Sequence, residues 1–309
     1  MRMTTTQSVA IIGAGVSGLT CSVVLRERGY DVTLFESDAH PAASPIAAAI
    51  WYPYHIEPRK NVERWSLESY DDFVALTFER TAGVSLVDFH VMTNRAKRRL
   101  PSWSRGMQRR YLTREEAAPY RFGFAIQVPM IETPLYLPYL RKRLGRKRIR
   151  TRTIHSIDEL TSSFDAVVNC SGYGAKTLCN DRLVKPGRGI VLKANACDTR
   201  AMVCDEGDLT YILPRRDDCV LGGTDDDTDD TAIPTKIAKQ IHARCRAVEP
   251  SLSRDYVAIA GIRPLRKAVR LEREPGTNII HNYGHGGAGF TVSWGCAREV
   301  LREVEQAGR

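Results

Sequence analysis

No run of about 18 consecutive apolar residues occurs anywhere in the 309-residue sequence, so no membrane-spanning helix is expected. Cysteine pairing motifs are missing too. The eight cysteines (Cys21, Cys170, Cys179, Cys197, Cys204, Cys219, Cys245 and Cys296) are scattered, with no C-x-x-C pair and no histidines at zinc spacing. They read as small buried apolar residues rather than as a disulfide scaffold or a metal site. The opening MRMTTTQSVAIIG lacks a cleavable-signal pattern, because its apolar segment runs straight into a glycine-rich turn. The closing VEQAGR carries no peroxisomal or retention tripeptide. A cytoplasmic protein is expected. The acidic run Asp225–Asp230 (DDDTDD) has neither the glycine nor the glutamate of a calcium loop. It reads as a solvated connection, and no metal is expected.

Charge is unbalanced. The net value is +9, and much of it sits in Arg95–Arg110 and Arg141–Arg152. A single-strand nucleic-acid surface needs aromatics interleaved with its cations. The second patch has none and the first has only Trp103. Solvated helix ends and loops are therefore expected, with no nucleic-acid partner, although the surplus can draw in anionic substrates.

What is present is a regular alternation of apolar segments, in a chain long enough for two domains. Residues 8–13 (SVAIIG) read as a buried strand, Val16–Arg28 as a helix stopped by Gly29, and Asp31–Phe35 as a second strand ending at Glu36. That is a strand–turn–helix–strand unit of about thirty residues. Residues 41–58 mix small residues with prolines and read as an irregular crossing. Helices are predicted at Glu63–Arg80, Thr133–Leu144, Pro234–Val248 and Gly289–Ala307. Strands are predicted at Ile149–Ile154, Phe164–Cys170, Gly189–Ala194, Tyr256–Ala260 and Asn278–Asn282. Leu209–Leu213 and Cys219–Leu221 form a predicted hairpin.

Two glycine clusters stand at opposite ends of this plan. The first, AIIGAGVSGL, places Gly13-x-Gly15-x-x-Gly18 between predicted strand and helix, with Ala14, Val16 and Ser17 on the same turn. In that context Gly13 makes a tight turn, Gly15 lets backbone approach a pyrophosphate, and Gly18 lets helix and strand pack closely. Helix N-terminal N–H groups then face the phosphates. Glu36, followed by Ser37, stands where a carboxylate accepts hydrogen bonds from ribose hydroxyls. NAD and FAD both fit such a unit. A strand ending in small residues, FDAVVNCSGYGAK, favours a flavin, with Ser171 and Gly172 returning toward the dinucleotide.

The second cluster is HNYGHGGAGF. Together with AAAIWYPY, VVNCSGYGAK, KPGRGIVLKA and GIRPLRKAVRLERE it resembles the D-amino-acid oxidase family of FAD enzymes, in the family's order from about residue 8 to 300. The resemblance implies an α/β fold: a Rossmann-type FAD-binding domain plus an α+β substrate domain with a large antiparallel sheet. It divides the chain into residues 1–50, 134–190 and 265–309 for the cofactor, and 51–133 with 191–264 for substrate and interface. It implies non-covalent FAD held also by Ala48, Ala49, Ile50 and Ile154, with Gly286, Gly287, Ala288, Gly289, Phe290 and Thr291 beside the flavin ring. Backbone N–H groups at that helix start would face the negative charge of the reduced flavin. His285 is expected to support backbone rather than act as a base.

On the substrate side the resemblance implies that Arg263 (in GIRPLR) binds the carboxylate, partnered by Tyr211 (in LTYILP), as the two catalytic residues. Guanidinium is the group suited to a bidentate carboxylate contact. Ile50, Tyr52, Tyr54, Gly287 and Ala288 would line the pocket, while Arg266 and Arg270 read as salt-bridge partners. The implied reaction takes a neutral D-amino acid and dioxygen to 2-oxo acid, ammonia and hydrogen peroxide, with hydride passing from Cα to flavin N5. The enzyme would be a monomer or homodimer. The short CDEGDL before Thr210, with Gly207 near where familiar eukaryotic members carry a covering tyrosine, implies an open pocket that tolerates bulky side chains. Alternative readings are a glycine or sarcosine oxidase, a flavin-binding protein without turnover, and a nucleic-acid binder.

Overall fold

The computed structural model describes residues 6–38, 42–53, 56–95, 99–204 and 209–307. Two sheets organise them. The six-stranded sheet runs in the order Arg270–Arg273, Ile279–Tyr283, Ala166–Asn169, Ser8–Ile12, Asp31–Glu36, Ile149–Thr151. Its first pair is antiparallel and the rest are parallel. Parallel strands must be covered on both faces, which explains the unbroken apolar runs at residues 9–12 and 166–168. The helix Val16–Glu27 provides the first crossover.

The eight-stranded sheet has the order Tyr256–Leu265, Lys185–Asn195, Asp218–Gly222, Thr210–Pro214, Ala201–Cys204, Val84–Thr93, Phe122–Ile131, Arg109–Tyr111. Its pairs are antiparallel except where Val84–Thr93 meets Ala201–Cys204 in parallel. The predicted hairpin is present, with Tyr211 opposite Gly222. Three strands between 84 and 131 were not predicted, and Tyr256–Leu265 is twice as long as the sequence suggested. Residue 190, a predicted domain edge, lies inside the strand Lys185–Asn195, which pairs along its length with Tyr256–Leu265.

The helix predicted at Glu63–Arg80 is found at Arg59–Leu76 and packs on the C-terminal helix Gly289–Ala307. Their approach is close. A Cβ on Gly295 would stand 2.3 Å from the carbonyl oxygen of Trp65. No helix among the described residues is long and apolar enough to cross a membrane. None of the eight cysteines is in a disulfide, and six are buried.

The acidic run is a connection with Asp225, Asp227, Asp229 and Asp230 exposed, as expected, and it is also tied to neighbouring elements. Asp226 forms an isolated β-bridge with Arg188 and pairs with its guanidinium at 3.0 Å; Asp229 accepts from the Tyr173 hydroxyl at 2.7 Å. The run is tied to neighbouring strands because arginine and tyrosine side chains from other elements reach it, which its composition alone does not reveal.

Candidate active site

A cavity of about 480 Å³ is lined by residues of both sheets. One part is built by the first glycine turn. Gly13 has φ of +105°, and a Cβ there would lie 2.5 Å from the Cys170 carbonyl oxygen, so the turn demands glycine. Gly13, Ala14, Gly15, Val16 and Ser17 face the cavity, and the helix starts at Val16 with no side-chain cap and no acidic residue in its first turn. The positive end of this helix suits an anion. Gly18 faces the strand instead: a Cβ would meet the Gly13 carbonyl oxygen at 1.9 Å.

The neighbouring loops complete this part. Ser37, Ile154, Ser171 and Gly172 line the cavity, and the Ser37 hydroxyl lies 2.7 Å from that of Thr153. Glu36 stands apart from the lining, its carboxylate bound by Arg141 at 2.6 Å and Thr151 at 3.3 Å. Its expected role as a ribose acceptor therefore competes with an ion pair. Ser44, which the sequence did not single out, accepts from the Val16 N–H at 3.0 Å. Only the fold brings it there.

The crossing segment forms a strap over the cavity. Ala48, Ala49, Ile50 and Tyr52 line it, and the strap is held by Ile131 N–H donating to Ala49 O at 2.8 Å and Trp51 N–H donating to Pro129 O at 2.8 Å. Ala49 sits at φ +55°, a left-handed conformation rare for a non-glycine residue. Tyr54, Gly207 and the loop around Gly207 lie outside the described residues.

The second glycine cluster closes the far side. Gly286, Gly287, Gly289, Phe290 and Thr291 line the cavity where the C-terminal helix begins. Ala288 does not: it is 1% exposed and turned into the protein, its N–H bonded to His285 O at 3.0 Å. His285 makes its side-chain bond to Asn282 Oδ1 at 3.0 Å rather than to backbone. Burial pushes its imidazole down to about 4, so the ring is neutral at pH 7. Neutral imidazole must then donate Nε2–H to the amide oxygen, because Asn282 spends its Nδ2 protons on Ser17 Oγ at 3.0 Å and Cys21 Sγ at 3.2 Å.

The remaining wall is one face of the eight-stranded sheet. Side chains two residues apart share a face, so Leu209, Tyr211 and Leu213 point into the cavity together, as do Gly189 with Val191 and Gly261 with Arg263. Phe89 and Val203 extend the wall, and neither was predicted. Phe89 belongs to a strand that was not recognised, and its ring packs edge-on against Tyr52 with centroids 5.7 Å apart. Arg263 is oriented by Nη1, which donates to Thr224 O at 2.8 Å and to Asp225 Oδ1 at 3.3 Å. Arg266 pairs with Asp181 and Arg270 with Glu272, outside the cavity.

The donor set fits an FAD group. A glycine turn that a Cβ would obstruct faces a second glycine-rich helix start across one elongated cavity, with apolar walls between. No group of three or more metal-ligating side chains occurs among the described residues.

Comparison with known proteins agrees with this geometry. The family described as "DAO: FAD dependent oxidoreductase" matches residues 8–302. A D-amino-acid oxidase from Rubrobacter xylanophilus is 38% identical over 97% of this chain and 96% of its own length. A second, from Streptomyces coelicolor, is 36% identical over 95% of both. Among solved structures, glycine oxidase from Geobacillus kaustophilus superposes with a TM-score of 0.81 at 19% identity, covering 97% of this chain and 95% of that one.

Proposed function

The chain belongs to the FAD dependent oxidoreductase family, and on that premise we propose that it oxidises neutral D-amino acids to 2-oxo acids and ammonia, with dioxygen as final acceptor. FAD is its cofactor. When bound, it supplies the acceptor for the hydride leaving the substrate Cα. Gly13, Gly15 and the N–H groups opening the Val16–Glu27 helix would hold its phosphates, and Gly286–Thr291 its ring system.

The observation that carries the substrate assignment is that Arg263 and Tyr211 project from one sheet face into the cavity that also contains Gly286–Thr291. Arg263 would take the carboxylate through its guanidinium, which Thr224 and Asp225 already orient. Tyr211 would offer its hydroxyl to the same group. Oxidation at Cα then needs no side-chain base once the amine is neutral, so the residues act by positioning. The imino acid would hydrolyse to the 2-oxo acid and ammonia, and dioxygen would yield hydrogen peroxide.

Phe89, Val191, Val203 and Leu213 line the wall beside these two residues. An apolar substrate side chain gains by leaving water there, whereas a second carboxylate would lose water against these apolar side chains. This supports neutral over acidic substrates. Eight cysteines outside any disulfide framework support a cytoplasmic location.

The test is peroxide release from the purified yellow protein with D- and L-alanine, D-methionine, D-phenylalanine, D-aspartate, glycine and sarcosine in parallel. Peroxide from neutral D-amino acids, abolished in Arg263→Ala with flavin retained, is expected. Peroxide from glycine or sarcosine alone would move the substrate class, and a flavin not reduced by any of them without oxygen would end the oxidase reading.

A further inference from the structure

Three glycines lie beneath Arg263 and Tyr211. Gly189 stands in Lys185–Asn195, Gly222 closes Asp218–Gly222, and Gly223 follows it. All three are buried. Mid-strand glycine weakens a sheet, and it commonly marks a place where something must lie close to the backbone. None of the three has a positive φ, so a left-handed conformation is not what requires glycine there. What excludes a methyl group is the side chains above. A Cβ on Gly189 would fall 2.5 Å from Arg263 Nη2 and 2.6 Å from its Cζ. On Gly222 it would fall 1.9 Å from Tyr211 Cζ and 2.3 Å from its hydroxyl oxygen, and on Gly223 2.9 Å from that same oxygen.

The register explains the arrangement. Tyr211 is directly opposite Gly222, and Arg263, opposite Gly187, leans diagonally across Gly189. Cross-strand neighbours at these positions are within reach of long side chains. The phenol and the guanidinium, which line the cavity, thus lie low against its sheet wall over empty Cβ positions.

Resting on the reading of Arg263 and Tyr211 as the substrate's carboxylate partners, we propose that Gly189 and Gly222, with Gly223, are positioning residues. They set the depth at which those two polar ends sit, and hence the room left for substrate above them. A methyl at Gly189 must move the guanidinium from 2.5 Å to the ordinary contact distance of 3.4 Å, close to 1 Å of displacement. At Gly222 the phenol must move further. Misplacing a binding group by about 1 Å costs on the order of a hundredfold in rate. Because the displaced atoms belong to the distal parts of two side chains and not to backbone, the change falls on the site first.

A double-mutant cycle tests this on the FAD-loaded enzyme with D-methionine. Tyr211→Ala alone is expected to lower kcat/KM tenfold or more. Gly222→Ala should lower it by a similar factor, mainly through KM, with the flavin-to-protein ratio unchanged. In the Tyr211→Ala background, Gly222→Ala should change kcat/KM less than twofold, because the ring it displaces is gone. An equal loss in both backgrounds would show that Gly222 serves the fold and would overturn the proposal. Wild-type KM and kcat in Gly222→Ala, with Tyr211→Ala impaired, would overturn it while leaving Tyr211 as a substrate partner. Wild-type behaviour of Tyr211→Ala itself would remove that partner and the proposal with it. If Gly222→Ala does not fold, Gly189→Ala decides: a KM raised at least tenfold with kcat reduced less supports the proposal, and a KM within twofold of wild type overturns it.

Discussion

The Thr291 hydroxyl bonds to both backbone polar groups of Tyr52, accepting from its N–H at 3.2 Å and donating to its carbonyl at 3.1 Å. The C-terminal helix is thereby fastened to the strap over the cavity. Thr291→Val keeps the shape and removes both bonds, at a cost of about 1–3 kcal/mol. Thermal unfolding at fixed FAD concentration should show the loss, and titration of apoprotein should show FAD binding several-fold weaker. Unchanged FAD affinity would mean that the strap holds without this fastening.

Gly13→Ala is expected to yield a folded but colourless protein. Its φ of +105° and the Cys170 carbonyl 2.5 Å from a new Cβ both oppose the native turn. Flavin absorbance after purification reads the outcome, and a yellow Gly13→Ala protein would count against this turn as the cofactor's phosphate seat.

Replacing Arg263 by lysine keeps the charge but removes the planar fork. A rise in KM of roughly tenfold to a hundredfold is expected, with a smaller change in kcat, since one strong charge-assisted contact is replaced by a point charge. Steady-state kinetics at fixed oxygen measures it. A KM equal to wild type would show that the guanidinium geometry is not used.

Acid should weaken the fold through His285. Its folded-state value of about 4 lies below the ordinary 6.5, so the unfolded chain binds the proton first as pH falls. The stabilisation is complete above pH 6.5 and is lost as pH falls toward 4, totalling roughly 3 kcal/mol at a slope near 1.4 kcal/mol per pH unit. Burial lowers His90 and His281 as well, in the same direction. Urea midpoints between pH 7 and 4 should therefore decline, and the decline should be shallower in His285→Gln. An equal slope in that variant would assign the acid sensitivity elsewhere.

Much of the cofactor half is legible in the sequence because its determinants are local. The spacing of Gly13, Gly15 and Gly18 dictates a turn whatever lies around it, and apolar runs of the right length flank it. The substrate wall is different. Val84–Thr93 carries Asp88 and His90 within an otherwise apolar stretch, and Phe122–Ile131 lacks alternation, so neither announces a strand. Phe89 becomes part of a pocket only through pairing with Phe122–Ile131 and Ala201–Cys204. Glu36 could be placed at the end of its strand, but not its capture by Arg141, which comes from another helix. The glycines at 189 and 222 were visible as letters, and their purpose appears only once Arg263 and Tyr211 lie over them.

The cavity draws its lining from residue 12 through residue 291. The strand Ile279–Tyr283 and the helix after it fit against Ala166–Asn169 and the first helix only when both are already in place. On a translating ribosome, the growing chain therefore carries one bank of the binding channel long before the other exists. FAD capture then needs residues from 12 through 291 in place, and a yellow colour reports that both banks have closed on each other.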